Sequence, residues 1–165
     1  MAGNLIQVAT TTLTSSASTI ALNGINSDDV YMLACNNLIP DSTNAEVKLR
    51  VNKSSSAQTD SEYDYAFEIL SSGTFNTRSG ANQDEVFFID NINTYGGNAI
   101  AYLYNFNSSS EYSFGTVESV ANVSNQELGN QGGWVHTVAS ASNGITLYLN
   151  TGSFTSGTAT LYKIK

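Results

Sequence analysis

The sequence predicts an all-β protein, an antiparallel β-sandwich or jelly-roll of about ten short strands in a single domain spanning residues 1–165. Apolar and polar residues alternate with a period of two in run after run, as strands with one wet face require. No stretch carries apolar residues at helical spacing over several turns, and Ser, Thr, Asn, Gly and Tyr are plentiful where helix formers are scarce.

Taken in order, NLIQVATTTL at 4–13 and STIALN at 18–23 read as two strands joined by the polar turn SSAS. GINSDD at 24–29 is a turn. The most continuously apolar segment, 30–38, belongs in the centre of a sheet. Pro40, Asp41, Ser42 and Thr43 make a turn ahead of EVKLRVN, where Val47, Leu49 and Val51 face in and Lys48, Arg50 and Asn52 face out. KSSSAQTDSE is a polar loop. In YDYAFEIL, Tyr63, Tyr65, Phe67 and Ile69 share one face, and Asp64, Ala66 and Glu68 the other. Residues 71–85 hold little apolar material except Phe75 and are expected to be the longest loop, broken by at most one short strand.

VFFIDNI at 86–92 and AIAYLYNF at 99–106 are expected to pair across NTYGGN, whose Gly96 and Gly97 are free to take positive φ. Strands at 112–122 and 133–140 follow, divided by 124–132, and Trp134, His136 and Val138 share a face in the second. The tail ends in two β-type runs, ITLYLN and TATLYKI, facing each other across a turn built on Gly152, Ser153, Ser156 and Gly157. Leu161, Tyr162 and Ile164 so near the terminus imply that the last strand lies within a sheet, to which the upstream strands are recruited.

At this length one domain buries roughly two thirds of the surface its unfolded chain exposes. Cys35, the single cysteine, has no internal disulfide partner and sits in the apolar run VYMLAC as an inert buried thiol. The N-terminus lacks a basic, long-apolar leader, and no apolar run reaches the about 18 residues of a membrane helix, so a protein soluble as made is expected. Fourteen acidic residues against six basic give a net charge of −8. With no base between Arg78 and Lys163, binding to nucleic acid or to an anionic membrane is disfavoured.

No catalytic, cofactor-binding or metal-ligating residue is expected. His136, the only histidine, alternates with valine and threonine as an ordinary strand residue, and the chain holds neither a Gly-x-Ser-x-Gly elbow nor a Walker-type loop. One His and one Cys are too few for zinc. Asp60, Glu62 and Asp64 supply calcium-type oxygens only if the chain bends there; extended, they spread over about 13 Å along one solvated face. The pairs Asp28–Asp29 and Asp84–Glu85 read as turn residues, and most tyrosines are expected in the core with their aliphatic neighbours. The sequons at Asn52, Asn107 and Asn122 are no more than chance provides in so Asn- and Ser-rich a chain.

Three blocks, QVATTTLTSSASTIAL, VKLRVN with its Ser-rich loop and Tyr63, and GGWVHTVASASNGITLYLNTGSFTSGTATLYKIK, together resemble small virion structural proteins of marine bacteriophages, including cyanophages. The ending is similar to a family pattern of ITSITL, a Gly-containing loop and ATLYGIK, with Gly144, Ile145, Thr146 and Leu147 in the inner strand and Lys163 where glycine is usual. The resemblance implies a β-sandwich or jelly-roll built into a phage particle, with no active residues to carry over. Roles in that group range over capsid decoration, head fibre and tail appendage.

A capsid decoration (cement) protein is therefore expected, located on the virion after assembly in the host cytoplasm. Its partners would be the major capsid protein or other virion proteins, and it would form a homo-oligomer, first a trimer. Non-enzymatic action without a cofactor follows from the same reading. The alternative is a carbohydrate-binding or host-attachment module of a fibre, stacking surface glycans on tyrosines and the Trp134 loop.

Overall fold

The computed structural model describes residues 3–123 and 126–165. Among them are thirteen strands and no helix: β1 (Leu5–Leu13), β2 (Thr19–Asn23), β3 (Tyr31–Pro40), β4 (Ala45–Lys53), β5 (Ser56–Ala57), β6 (Tyr63–Ser71), β7 (Phe75–Gln83), β8 (Val86–Ile92), β9 (Gly97–Tyr104), β10 (Ser113–Val123), β11 (Gln126–His136), β12 (Gly144–Leu149) and β13 (Phe154–Ile164). They build two antiparallel sheets packed as a sandwich. The larger runs β1-β13-β3-β9-β10-β11-β6-β7; the smaller runs β2-β12-β4-β5, with β8 also paired to β4.

The pairing is nested. β1 pairs with β13, β2 with β12, β3 with β9 and β4 with β8, so first meets last and second meets second-last. This is one long antiparallel ladder, rolled so that successive rungs fall alternately in the two sheets. Two inserted hairpins, β6–β7 and β10–β11, extend the larger sheet beyond β9. The sequence places the last strand correctly inside a sheet: β13 lies between β1 and β3, and Ala159 and Leu161 point into the core.

Alternation explains which side chains fill the sandwich. Val47, Leu49 and Val51 of β4 face Ile145, Leu147 and Leu149 of β12, and the larger sheet contributes Leu33, Ala101, Leu103 and Leu161. β4 turns into β5 through Ser54 and Ser55, both at positive φ (49° and 65°), the geometry of a tight hairpin with right-handed twist, so the first part of the polar 53–62 stretch is a turn and a short strand.

Several sequence expectations are corrected. β8 and β9 do not pair: the link at 93–96, with Gly96 at φ +79°, crosses from the smaller sheet to the larger. β12 and β13 likewise lie in opposite sheets. Most of the expected 71–85 loop is the nine-residue strand β7, an edge strand whose side chains are mostly exposed, which is why it shows no apolar period. The expected divider at 124–132 is largely β11, its first two positions lying outside the described residues, and β11 ends at His136, short of Ser140. The glycines there serve close approach. A Cβ on Gly132 would meet the Ala66 carbonyl oxygen at 2.2 Å, and one on Gly115 would meet the Trp134 ring at 2.3 Å.

β8 is the most demanding strand to accommodate. It pairs only along β4, yet Val86, Phe87, Phe88, Ile89 and Asp90 are all buried, so its second edge faces protein. Asn130 of β11 satisfies that edge: its Nδ2 donates to the Phe88 carbonyl at 2.9 Å, and its Oδ1 accepts from the Asp90 amide at 3.2 Å and from Ser119 Oγ at 2.6 Å. One side chain thus does for β8 what a neighbouring strand would do, and ties the two sheets together. Because each buried backbone group left unpaired costs about 1–3 kcal/mol, Asn130→Ala is expected to destabilise the protein by roughly 2–4 kcal/mol in urea unfolding. Ser119→Ala, which removes only the supporting hydroxyl, should cost about 1 kcal/mol.

Candidate functional site

The residues singled out for chemistry are drawn into structure. Cys35 is buried, and desolvation pushes its thiol up to about 12, outside the range of a reactive thiolate. His136 is fully buried at the end of β11, with its ring 4.9 Å from that of Tyr63 and Nε2 3.3 Å from the Glu62 carboxylate. Trp134 is buried as well, packed edge-on to Phe106, so it offers no platform to a ligand. The Asp60–Asp64 triplet is divided: Glu62 lies beside His136, and Asp64 Oδ1 accepts from the Asn82 amide at 2.7 Å. Among the described residues no group of three or more His, Cys, Asp or Glu side chains converges as a metal site. Asn52 of the first sequon is buried, and Ser124 of the third lies outside the described residues.

The outward row of β4 is not the solvated face that its charges suggest. Lys48 is buried between Glu46 (2.8 Å) and Glu85 (3.2 Å), and its Nζ stands 5.1 Å from the centre of the Phe87 ring. Arg78 reaches in from β7, stacks at 3.8 Å on the same ring and bonds Glu46 at 2.6 Å. Tyr65 and Phe67 of β6 close round Phe87. Arg50 bonds Asp84 at 2.6 Å and lies over Tyr148, whose hydroxyl donates to Glu85. Burial opposes the ionised Glu46, but Arg78 and Lys48 outweigh it and hold the carboxyl below its usual range. Asp90 runs the other way, because burial raises it more than Arg78, 3.9 Å away, lowers it. Three of the six bases are thus consumed in fastening β4, β7, β8 and β12 together.

The other surface of note is the flank where both sheets end. β1 closes the larger sheet and β2 the smaller, and each pairs with a strand on one side only. Both lie within the first 27 residues, which contain no charged residue in a chain of net charge −8. Leu5 and Ile6 are 54% and 45% exposed. Edge strands ordinarily carry lysine, proline or inward charges that stop further pairing; β1 has none, only an irregularity between Gln7 and Ala9. The charges recorded beside it are paired or terminal: Lys163, opposite Ile6, is bonded to Asp29 and Ser27, and Lys165 lies at the chain end. The Asp29 carboxyl is held low by the Lys163 hydrogen bond first and Ser27 second.

No protein-family model and no curated protein matches the sequence. Among solved structures, one of infectious bursal disease virus (Gt strain) aligns at 14% identity and a TM-score of 0.13, over 99% of this chain and 42% of that one. A score so low carries no likeness of fold, and the chain spans less than half the length of the one it is aligned with.

Burial disfavours the charged imidazolium of His136, and Lys53 repels it, against the pull of Glu62, so its pKa lies below the ordinary value. The unfolded chain therefore takes up this proton first as the pH falls. The stability contributed by neutral His136 is complete above about pH 6.5 and is lost as the pH falls from there through the folded pKa. Asp90, raised, has the opposite sign: its contribution is complete below the ordinary carboxylate range and is lost as the pH rises through its folded pKa. Thermal melts between about pH 7 and pH 5 should show a steeper loss for the native protein than for His136→Gln. Asp90 is common to both and cancels; parallel curves would contradict the assignment.

Proposed function

We propose that this chain is a bacteriophage virion structural protein, a capsid decoration (cement) protein that acts without catalysis on the particle surface. The observation that carries the reading is the uncharged flank. In a chain with eight excess negative charges the two adjacent edge strands β1 and β2 carry none, leaving there a surface on which another protein can add by backbone pairing. The nested pairing of the eight framework strands supports a jelly-roll, an architecture used by viral capsid proteins and also by lectins and cupins. Fold analogy alone therefore does not choose among them. The resemblance of the opening, middle and closing blocks to small phage virion proteins favours the first, and burial of His136 and Cys35 favours a role without chemistry.

In this reading the protein forms a symmetric homo-oligomer, with a threefold ring the first arrangement to test, seated on the major capsid protein or another virion protein after assembly in the host cytoplasm. Contacts in a ring are heterologous. The unpaired edge of β7, at the far end of the same sheet, is available to receive β1. Ion pairs have little part in such an interface, since exposed ones contribute only about 0–1 kcal/mol each and Lys48, Arg50 and Arg78 are already engaged within the fold.

The protein should remain on purified particles at about 0.5 M salt, where screening is strong, and should sediment alone as an oligomer. Removing 1–12 outright would strip the pairing from β13, so a gentler variant is preferable. Ile6→Lys with Thr12→Lys puts charge on the exposed strand and should give a folded monomer that no longer attaches. Release at that salt, or a native protein monomeric at every concentration, would overturn the proposal.

A further inference from the structure

The outer face of the larger sheet carries a feature independent of the flank. Registers across β9, β10, β11, β6 and β7 set Tyr102, Thr116, Gly133, Ala66 and Ser79 side by side in one row. After Tyr102 the row is small, and a Cβ on Gly133 would have a single neighbour, the Gly115 oxygen at 3.3 Å, so the space above it is open. The row is therefore the floor of a trough. Five strands at about 4.8 Å spacing make it roughly 19 Å long. One wall is polar, with Glu118, Gln131 and Glu68 abreast and Gln131 Nε2 donating to Glu118 Oε1 at 3.1 Å. The other is formed by Phe114, Val135 and Asp64. Depressions of about 550 Å³ beside Tyr102 and about 360 Å³ beside Phe114 lie along it.

The sequence reading put most tyrosines in the core, and that is corrected here. Of nine, only Tyr31 and Tyr63 are buried, and Tyr102 is 40% exposed, as is Phe114 at 42%. On β9 it is Ala99, Ala101 and Leu103 that point inward.

We infer that this trough binds a neutral, linear oligosaccharide. Exposed aromatic rings at the head and wall offer flat apolar faces to the apolar faces of sugar rings, while the planar carboxylate and amide groups opposite donate to and accept from hydroxyls. A floor of small side chains and the length of the row suit an extended chain of several rings more than a single sugar. Charge sets the class. Glu118, Glu68 and Asp64 line the trough, and the one lysine or arginine on these five strands, Arg78, is turned away onto Phe87. Sulfated, phosphorylated or sialylated chains would meet three carboxylates and no cation. A second copy laid face to face would bring the same three carboxylates against their equivalents.

The test is a glycan array of neutral and anionic oligosaccharides, with titration calorimetry on the neutral hits. A neutral chain of several rings should bind. Tyr102→Ala, which removes the stacking face, and Ala66→Gln, which fills the floor from an exposed position, should each weaken binding about tenfold or more with the melting temperature unchanged. Absence of binding across the neutral set, binding confined to anionic chains, or affinity indifferent to both substitutions would overturn the inference. So would a change in sedimentation on Tyr102→Ala, which would make this face a protein interface. Each outcome is separable from the edge variant, whose altered residues lie on β1.

Discussion

Asn130 and the inner edge of β8 set the terms for the rest of the structure. Rolling a ladder so that its rungs alternate between sheets brings the fourth rung, β4 with β8, to one end of the smaller sheet, where β8 has no further strand to pair with. Its aromatic side chains nonetheless belong to the core. Buried backbone cannot stay unpaired without a cost comparable to a large part of a domain's net stability. The two inserted hairpins answer this by extending the larger sheet past β8, so that Asn130 reaches its backbone and Tyr65, Phe67 and Arg78 close round Phe87. A side-chain amide offers a donor and an acceptor in the spacing of a peptide group, which is why an asparagine can stand in for a strand.

The same constraint explains where charge goes. The ionic network of Glu46, Lys48, Arg50, Arg78, Asp84 and Glu85 lies over the outer side of β4 and β8, where it holds the insert against the framework. Breaking a buried pair there leaves an uncompensated charge, a loss of about 3–5 kcal/mol, whereas an exposed pair is worth at most about 1 kcal/mol. At the opposite flank the edges of β1 and β2 are open and uncharged. One edge is satisfied from within and the other is left for something outside, and the reading as an assembly component rests on that asymmetry.

Much of this was legible in the sequence, and what was not has identifiable causes. Period-two alternation located most strands, including the terminal β13, because burial on one face leaves its mark on every second residue, and an unbroken apolar run located the 30–38 segment. It carried no information about partners, so β8 with β9, and β12 with β13, were paired as neighbours in sequence although a rolled ladder separates them. β7 escaped because an exposed edge strand needs no apolar face. Alternation also shows that β9 has two faces without showing which turns inward; the choice of Ala101 and Leu103 over Ile100 and Tyr102 depends on what lies across the core. The charge-free opening is a property of the sequence that gains meaning only from the topology that makes both of its strands edges. Asn130, set among glycines, reads as a turn residue until its two backbone partners on β8 are seen.

Amide hydrogen exchange, followed by mass spectrometry on the monomeric Ile6→Lys, Thr12→Lys variant and on the native protein in the assembled particle, tests the contrast between the two edges most directly. Residues 86–92 should exchange equally slowly in both, because the edge of β8 is satisfied within the chain. Within residues 5–13 the amides that point away from β13 should exchange quickly in the monomer and slowly in the particle. Exchange of β1 unchanged by assembly, or of β8 as fast as those β1 amides in the monomer, would contradict the account.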